Sequence, residues 1–149
     1  MSSAEDLETI RGLVHRYAEL IDLGQLDELA RLFEHATWRT SMRDDVLRGT
    51  EQVRHAYDGV VMYDGIPSTK HVISNVSVEL DGDTATARSY FTVLQARPDL
   101  PLQPIIAGRY HDRFERAGDG WRFTDREIIP DLLGDLSRHL RPGSGLDDE

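Results

Sequence analysis

The hydrophobic pattern of this chain changes its period once, near Lys70, and this change constrains the fold more than any other feature. Before that point apolar residues recur at steps of three and four, the spacing of one helix face. After it they mostly alternate with polar residues, the spacing of a strand with one buried face. Helices followed by a mostly antiparallel sheet indicate an α+β fold in which a curved sheet wraps the helices. Such a cone leaves a cavity at its open end.

The pattern also gives approximate element bounds. Helices are predicted over residues 4–23, 26–35 and 50–62, with Gly24 ending the first, and a short hairpin over 36–42 and 46–48. Long strands are predicted over 70–80, 84–96, 105–116 and 121–129. Three prolines predict a loop over 97–104, Pro130 is expected to end the sheet, and 132–140 is expected to form a short helix. We expect one domain over residues 1–140 and a mobile tail over 141–149.

Asp22 and His71 are the first candidate site residues. Asp22 continues the four-residue steps of Val14 and Ala18, so it lies on or beside a buried stripe where an acid is unusual. His71 opens a strand, and strict alternation places it with Asn75 on the polar side of that strand. A carboxylate beside an imidazole stabilises the imidazolium formed during proton abstraction, so His71 would be a base and Asp22 its orienter. The structural alternative is a histidine satisfied by backbone and an aspartate that terminates its helix.

Arg126 is the third candidate, because a guanidinium stays charged and offers forked donors where negative charge develops. Strict alternation puts it on the opposite face from Trp121 and Phe123. It therefore reaches a cavity only if a bulge intervenes, or if the cavity lies on the face that it shares with Arg122 and Thr124. The alternative is a surface ion pair with a neighbouring acid. Aromatic side chains are expected as substrate-binding walls, since their rings supply apolar area and their polar atoms directed hydrogen bonds: Tyr17, Trp38, Tyr57, Tyr90 and Tyr110. Asn75, on the strand face of His71, is expected to bind a substrate oxygen.

Composition excludes several functions. The net charge of −10 opposes binding to nucleic acid or to anionic membranes, and no run is long enough to span a bilayer. Cysteine is absent, and none of the six histidines is paired at the spacing of a helical zinc motif, so no metal is expected. Glycine-rich phosphate loops are also lacking, so no nucleotide cofactor is expected. We predict a cytoplasmic protein that works without a cofactor.

Three clusters resemble the SnoaL-like branch of the NTF2-like superfamily. They are residues 17–22 with 29–33, residues 71–75 with 81–85, and residues 108–114 with 120–123. Within that family the pattern is most similar to scytalone dehydratase and hexachlorocyclohexane dehydrochlorinase, which are cofactor-free lyases with a His-Asp dyad in the cone. The resemblance matches Asp22, His71, Arg126 and Trp38 to site residues of these enzymes. It departs from the dehydratase where a second catalytic histidine is expected, since this chain has Leu94-Gln95-Ala96 there.

The resemblance implies an NTF2-like cone and a cofactor-independent lyase or isomerase, of dehydratase or cyclase type, acting on a hydrophobic cyclic small molecule. It also implies a homodimer or homotrimer. The alternative is a non-catalytic module of the same fold that binds a small molecule or serves in assembly, as a dioxygenase small subunit does.

Overall fold

The computed structural model describes residues 2–142. Within them lie three helices, α1 (Ser3–Asp22), α2 (Leu26–Arg31) and α3 (Gly49–Ala56). The strands are β1 (Thr37–Thr40), β2 (Leu47–Arg48), β3 (Thr69–Asp81), β4 (Thr84–Arg97), β5 (Leu100–Ala117) and β6 (Gly120–Leu133). None of the described helices is long and apolar enough to cross a membrane.

The six strands form one curved, unclosed sheet in the order β2-β1-β6-β5-β4-β3. Neighbouring strands are antiparallel except β1 and β6, which run parallel. Helix α1 packs against β3 and β6, and the apolar inner face of the sheet forms one core with the helices. The α+β prediction is confirmed. The strands built from alternating sequence have long polar outer faces, as expected for a sheet buried on one side.

The end of α1 is fixed by its backbone. Gln25 N–H donates to the Leu20 carbonyl and Gly24 N–H to the Ile21 carbonyl, the two bonds of a Schellman cap. Gly24 adopts a φ of 71°, and a Cβ there would lie 1.9 Å from the Gly65 carbonyl oxygen. Only glycine therefore allows the helix to end this close to the 63–66 turn. This ending sets the position of Asp22, the last residue of α1.

Strand β3 contains a bulge that strict alternation does not predict. The ladder pairs Ser74 with Tyr90 and Ser77 with Arg88, so β3 has one residue more than β4 between these pairs. Asn75 takes up the extra length at a φ of 53°. His71 therefore lies on the inner face together with Val78, and the predicted polar side for His71 is corrected. The sequence pattern misled because a bulge moves every later side chain to the other face.

Strand β6 contains a second bulge. Arg113 pairs with Asp125 while Phe114 pairs with Phe123, which leaves Thr124 as the extra residue. Arg126 therefore lies on the same inner face as Phe123. A bulge was one of the arrangements in which the sequence analysis expected Arg126 to reach the cavity side of the sheet, and this bulge is present.

Pro101, Pro104 and Pro130 lie within strands, and Pro98 lies in a turn. The predicted loop over 97–104 is instead a tight hairpin, since β4 runs to Arg97 and β5 begins at Leu100. Pro104 and Pro130 each lie at a register shift, where a ladder hydrogen bond is missing in any case. For the same reason Pro130 does not end β6, which continues to Leu133.

The segment after β6 is not the predicted helix. Residues 134–140 form turns that cross the end of the cone, and Val61 N–H donates to the His139 carbonyl at 2.8 Å. Arg141 N–H likewise donates to the Gly59 carbonyl at 2.8 Å. Backbone bonds thus tie this segment to the chain that follows α3. Of the predicted mobile tail, residues 143–149 lie outside the described residues.

The bulge in β3 gives a stability prediction. A β-branched side chain is strained at positive φ, so Asn75→Val should lower the free energy of unfolding by about 1–2 kcal/mol. Asn75→Gly is the matched control and should stay within about 0.5 kcal/mol of the wild type, because glycine adopts this conformation freely. Urea unfolding followed by tryptophan fluorescence measures both. Equal losses in the two variants would contradict the assigned conformation.

Candidate active site

A cavity lies between α1, the inner face of the sheet and the segment after β6. Its volume is about 60 Å³. Most of its wall is aliphatic or aromatic, and the polar side chains that reach it are imidazoles, phenols and an indole. The lining residues are Tyr17, Ile21, Trp38, Tyr57, Val60, His71, Phe91, Val93, Ile106, Tyr110, Ile128, Pro130, Leu136, His139 and Leu140.

Asp22 and His71 are in direct contact at the edge of this cavity. The Asp22 Oδ1 atom lies 2.7 Å from His71 Nδ1, and Asp22 Oδ2 accepts the His71 backbone N–H at 2.7 Å. Thr69 Oγ1 donates to Asp22 Oδ1 at 2.8 Å. Both acidic oxygens are thus occupied by the first residues of β3. The His71 side chain is 5% exposed and that of Asp22 11% exposed, so solvent screens the contact little.

The charge of Asp22 follows from these bonds. Burial raises the pKa of its carboxyl, but the hydrogen bond and the charge of His71, assisted by Thr69, outweigh burial and leave the pKa below its usual value of 3.8. Asp22 is therefore a carboxylate at neutral pH, and it can only accept hydrogen bonds. His71 Nδ1 must then carry the proton that joins them. Its Nε2 has no hydrogen-bond partner among residues 2–142, and the ring borders the cavity.

Three of the predicted aromatic residues form one hydrogen-bonded group in the cavity wall. The hydroxyls of Tyr17 and Tyr57 are 2.5 Å apart, and Trp38 Nε1 donates to Tyr57 Oη at 3.2 Å. Burial raises the pKa of Tyr17, although the nearby guanidinium of Arg126 opposes it, and burial raises the pKa of Tyr57 further. These phenols are neutral at physiological pH. Tyr110 also borders the cavity, stacked at 4.5 Å on Phe91.

Arg126 lies behind this wall and does not line the cavity. It is fully buried and makes a forked pair with Asp112, with Nε and Nη2 at 2.8 and 2.9 Å from the two carboxylate oxygens. Its guanidinium carbon lies 3.8 Å from the centre of the Tyr110 ring and 4.3 Å from that of Tyr17. Burial disfavours its charge, but Asp112 raises the pKa of Arg126 overall. Arg126 thus packs on two cavity rings, and the surface ion pair considered for it is not found.

Asn75 and Tyr90 do not reach the cavity. Both border a groove on the outer face of the sheet, and Tyr90 is 51% exposed. The reason is the bulge at Asn75 itself, which separates it from the face of His71, and the alternation of β4, which turns Tyr90 away from Phe91. The expected placement of Asn75 on the face of His71, and that of Tyr90 in the cavity wall, are corrected.

His139 is the polar residue of the cavity lining that sequence reasoning missed. Its ring centre lies 6.3 Å from that of His71, with 63° between the ring planes. Burial, with a smaller contribution from the neighbouring His71, lowers the pKa of His139 to about 3, and Asp22 opposes this only weakly. The sequence holds one weak signal, a histidine between Leu136 and Leu140 in a run expected to pack. Its proximity to His71 depends on a turn that the pattern does not predict.

Comparisons with known proteins show the same fold in solved structures. A protein of Novosphingobium aromaticivorans described as NTF2-like with a cystatin-like fold is 28% identical, with a TM-score of 0.74, covering 85% of this chain and 82% of that one. A provisionally assigned scytalone dehydratase from the same organism is 19% identical, with a TM-score of 0.71 and 94% of each chain covered. The β subunit of a provisionally assigned aromatic-ring-hydroxylating dioxygenase, also from that organism, is 18% identical, with a TM-score of 0.69, covering 90% and 95%. No curated protein matches this chain.

The protein is thus an NTF2-like α+β cone, as the sequence predicted. The profile of the SnoaL-like domain matches residues 2–127. The chain belongs to the SnoaL-like family. His139 lies beyond the matched residues, so the family pattern gives no information on it.

The buried ion pair gives a second stability prediction. Arg126→Met leaves the Asp112 carboxylate buried without a partner, so we expect the free energy of unfolding to fall by about 3–5 kcal/mol. The double variant Arg126→Met with Asp112→Asn removes that charge and should lose less than the single variant. Urea unfolding at neutral pH measures the difference. A single variant within about 1 kcal/mol of the wild type would contradict a structural role for this pair.

The low pKa of His139 predicts a pH dependence of stability. In the unfolded chain the ring takes up a proton near pH 6.5, whereas in the folded protein it resists protonation until about pH 3. Stability is therefore lost as the pH falls below 6.5. Between pH 7 and pH 5 this group should remove on the order of 2 kcal/mol. His139→Gln cannot be protonated and should show a correspondingly smaller loss in urea unfolding at these two pH values. Identical losses would contradict the buried neutral state.

Proposed function

We propose that this protein is a cofactor-independent lyase or isomerase that removes a proton from a small, hydrophobic, oxygen-bearing cyclic molecule. The observation that carries the proposal is the Asp22–His71 contact at 2.7 Å, with the free Nε2 of His71 beside an apolar cavity. An orienting acid, a single accepting nitrogen and an adjoining space are what proton abstraction from carbon requires.

The proposed reaction begins with the His71 Nε2 lone pair. It takes the proton from a carbon next to a carbonyl or a leaving group, and the electron pair left behind moves toward that group. The imidazolium formed is stabilised by the Asp22 carboxylate, which already accepts the Nδ1 proton. The protonated His71 then returns the proton to another atom of the molecule or to the departing group. The base is thus regenerated without any cofactor.

The cavity wall supports the substrate class. Apart from imidazoles, phenols and one indole, its lining is aliphatic and aromatic, which favours an apolar ring with few oxygens. Of the neutral Tyr17 and Tyr57 hydroxyls one donates to the other, which leaves a single O–H as a donor for an oxygen that gains charge. Because water is largely excluded, such a donor stabilises charge more than it would in solution.

Arg126 takes a different role from the one expected. It contacts Tyr17 and Tyr110 through their ring faces and does not border the cavity, so we propose that it is a positioning residue. Its positive charge favours negative charge on the Tyr17 hydroxyl and therefore strengthens that hydroxyl as a donor. It also fixes the two rings against the sheet.

The second candidate is a module that binds a small molecule or assembles with other chains without converting anything. The observation that favours it is the limited volume of the cavity, about 60 Å³, which leaves little room for a large substrate to rearrange. Self-association through the sheet stays a prediction under either function. The two functions differ in one measurable property, the exchange of carbon-bound protons.

Deuterium exchange tests the proposal without knowledge of the natural substrate. Cyclohexanone, 2-indanone and 2-tetralone carry acidic protons next to a carbonyl, and NMR in D₂O follows the loss of those signals. We expect the wild-type protein to accelerate exchange in at least one ketone. His71→Gln should abolish the acceleration, and Asp22→Asn should reduce it by about 10²–10⁴-fold, because the orienting charge is lost.

The matched controls are exposed residues of the same types. Asp27→Asn on α2 and His55→Gln on α3 should leave exchange unchanged and alter stability by less than about 1 kcal/mol, because their ion pairs are exposed. Circular dichroism and thermal unfolding establish that the dyad variants remain folded. Exchange that persists in a folded His71→Gln variant would reject His71 as the base, and binding without any exchange would favour the non-catalytic module.

A further inference from the structure

The segment that carries His139 is held in place from several directions. The His139 carbonyl accepts from Val61 N–H, and its own N–H donates to the Leu136 carbonyl at 2.9 Å. One residue earlier, the Arg138 carbonyl accepts hydrogen bonds from Gln95 Nε2 at 3.1 Å and from the Tyr63 hydroxyl. These bonds fix the backbone on both sides of the ring. The position of His139 at the cavity is therefore set by the fold.

Gln95 connects this arrangement to the middle of the sheet. It is 1% exposed on the inner face of β4, and its Nε2 also donates to the Pro67 carbonyl at 3.2 Å. The amide of Gln95 on β4 thus holds two chain segments in place, one at Pro67 and one at Arg138. His139, whose ring lies next to that of His71, belongs to the segment at Arg138.

The two ring nitrogens of His139 have different surroundings. Nδ1 is sealed from solvent and has no hydrogen-bond partner among the described residues, whereas Nε2 is not sealed in this way and also lacks a partner there. A buried N–H without an acceptor is less tolerable than a buried lone pair without a donor. The proton of the neutral ring therefore belongs on Nε2. That nitrogen is a donor beside the cavity that His71 also borders.

We propose that His139 binds the oxygen of the substrate that His71 deprotonates, donating a hydrogen bond from Nε2–H. This inference rests on the proposed function. When the C–H bond breaks, its proton joins His71 Nε2 and the electron pair moves onto the carbonyl oxygen. His139 then donates to the oxyanion, and it remains neutral throughout.

The separation of the rings fits this division of roles. The ring centres are 6.3 Å apart and both rings border the same cavity, so one small molecule in that cavity can reach His71 with a carbon and His139 with its oxygen. A donor that stays uncharged suits this position, because a cation there would oppose the imidazolium that forms on His71. Burial and the adjacent His71 both disfavour that cation.

Binding of 2-naphthol tests the contact independently of turnover, because this molecule carries a hydroxyl where the enol of 2-tetralone has one. Isothermal titration calorimetry should show that His139→Phe weakens 2-naphthol about tenfold, the effect of one lost hydrogen bond. His139→Gln keeps a donor near Nε2 and should lose less than about threefold. Fluorescence titration with naphthalene, which lacks the oxygen, should show no loss in His139→Phe. His55→Phe, at an exposed histidine, is the matched control.

Exchange of 2-tetralone in D₂O supplies the second readout. We expect His139→Phe to slow it by about 100-fold, as for a lost oxyanion donor, and His139→Gln to recover most of the rate. Unchanged 2-naphthol affinity in His139→Phe overturns the inference, as does failure of the wild type to bind 2-naphthol at millimolar concentration. If the wild type binds 2-naphthol through His139 but exchanges no ketone, the proposed function fails while the contact stands. If exchange depends on His71 and not on His139, the function stands and the contact fails.

Discussion

The carboxylate of Asp22 is the point on which the rest of this structure depends. It accepts three donors from the first residues of β3: the Thr69 hydroxyl, the His71 backbone N–H and the His71 ring. Because β3 is an edge strand, that backbone N–H would otherwise lack a partner in the sheet. The same carboxylate thus closes the end of the helix against the sheet and fixes one tautomer of the imidazole. A single charge serves both the architecture and the proposed chemistry.

Two β-bulges determine which side chains of β3 and β6 lie on the inner face of the sheet. One bulge brings His71 to the same face as the later residues of β3, and another brings Arg126 to the face of Phe123. Arg126 and Asp112 then form a buried charged layer beneath the rings of Tyr17 and Tyr110. The guanidinium of Arg126 packs on the faces of both rings and so fixes their orientation at the cavity wall. His139, in the chain after β6, also lines the cavity. The candidate site therefore combines residues from the first helix, the sheet and the segment after the sheet.

The sequence predicted the fold because its hydrophobic period is strong and changes only once. It singled out Asp22 because an acid on an apolar stripe is unusual, and the family resemblance selected His71. The face of Asn75 was misjudged, since a bulge depends on pairing between strands that one strand cannot reveal. Pro104 and Pro130 led to a predicted loop and a predicted strand end for the same reason. Only the pairing between strands shows that each lies at a shift of register, where a strand tolerates proline. Tyr90 was expected in the cavity wall from its residue type, and the alternation of β4 turns it outward. His139 was missed because its contact with His71 is created by tertiary structure alone.

The tautomer of His71 tests the central claim most directly. Long-range ¹H–¹⁵N NMR of protein with ¹⁵N-labelled histidine distinguishes protonated from unprotonated ring nitrogens at neutral pH. An ionised Asp22 that accepts from the ring requires a proton on Nδ1, which in the neutral ring leaves the lone pair on Nε2, and Asp22→Asn should remove this preference. A neutral His71 that carries its proton on Nε2 in the wild-type protein would contradict the account, because the cavity would then face a donor and no base.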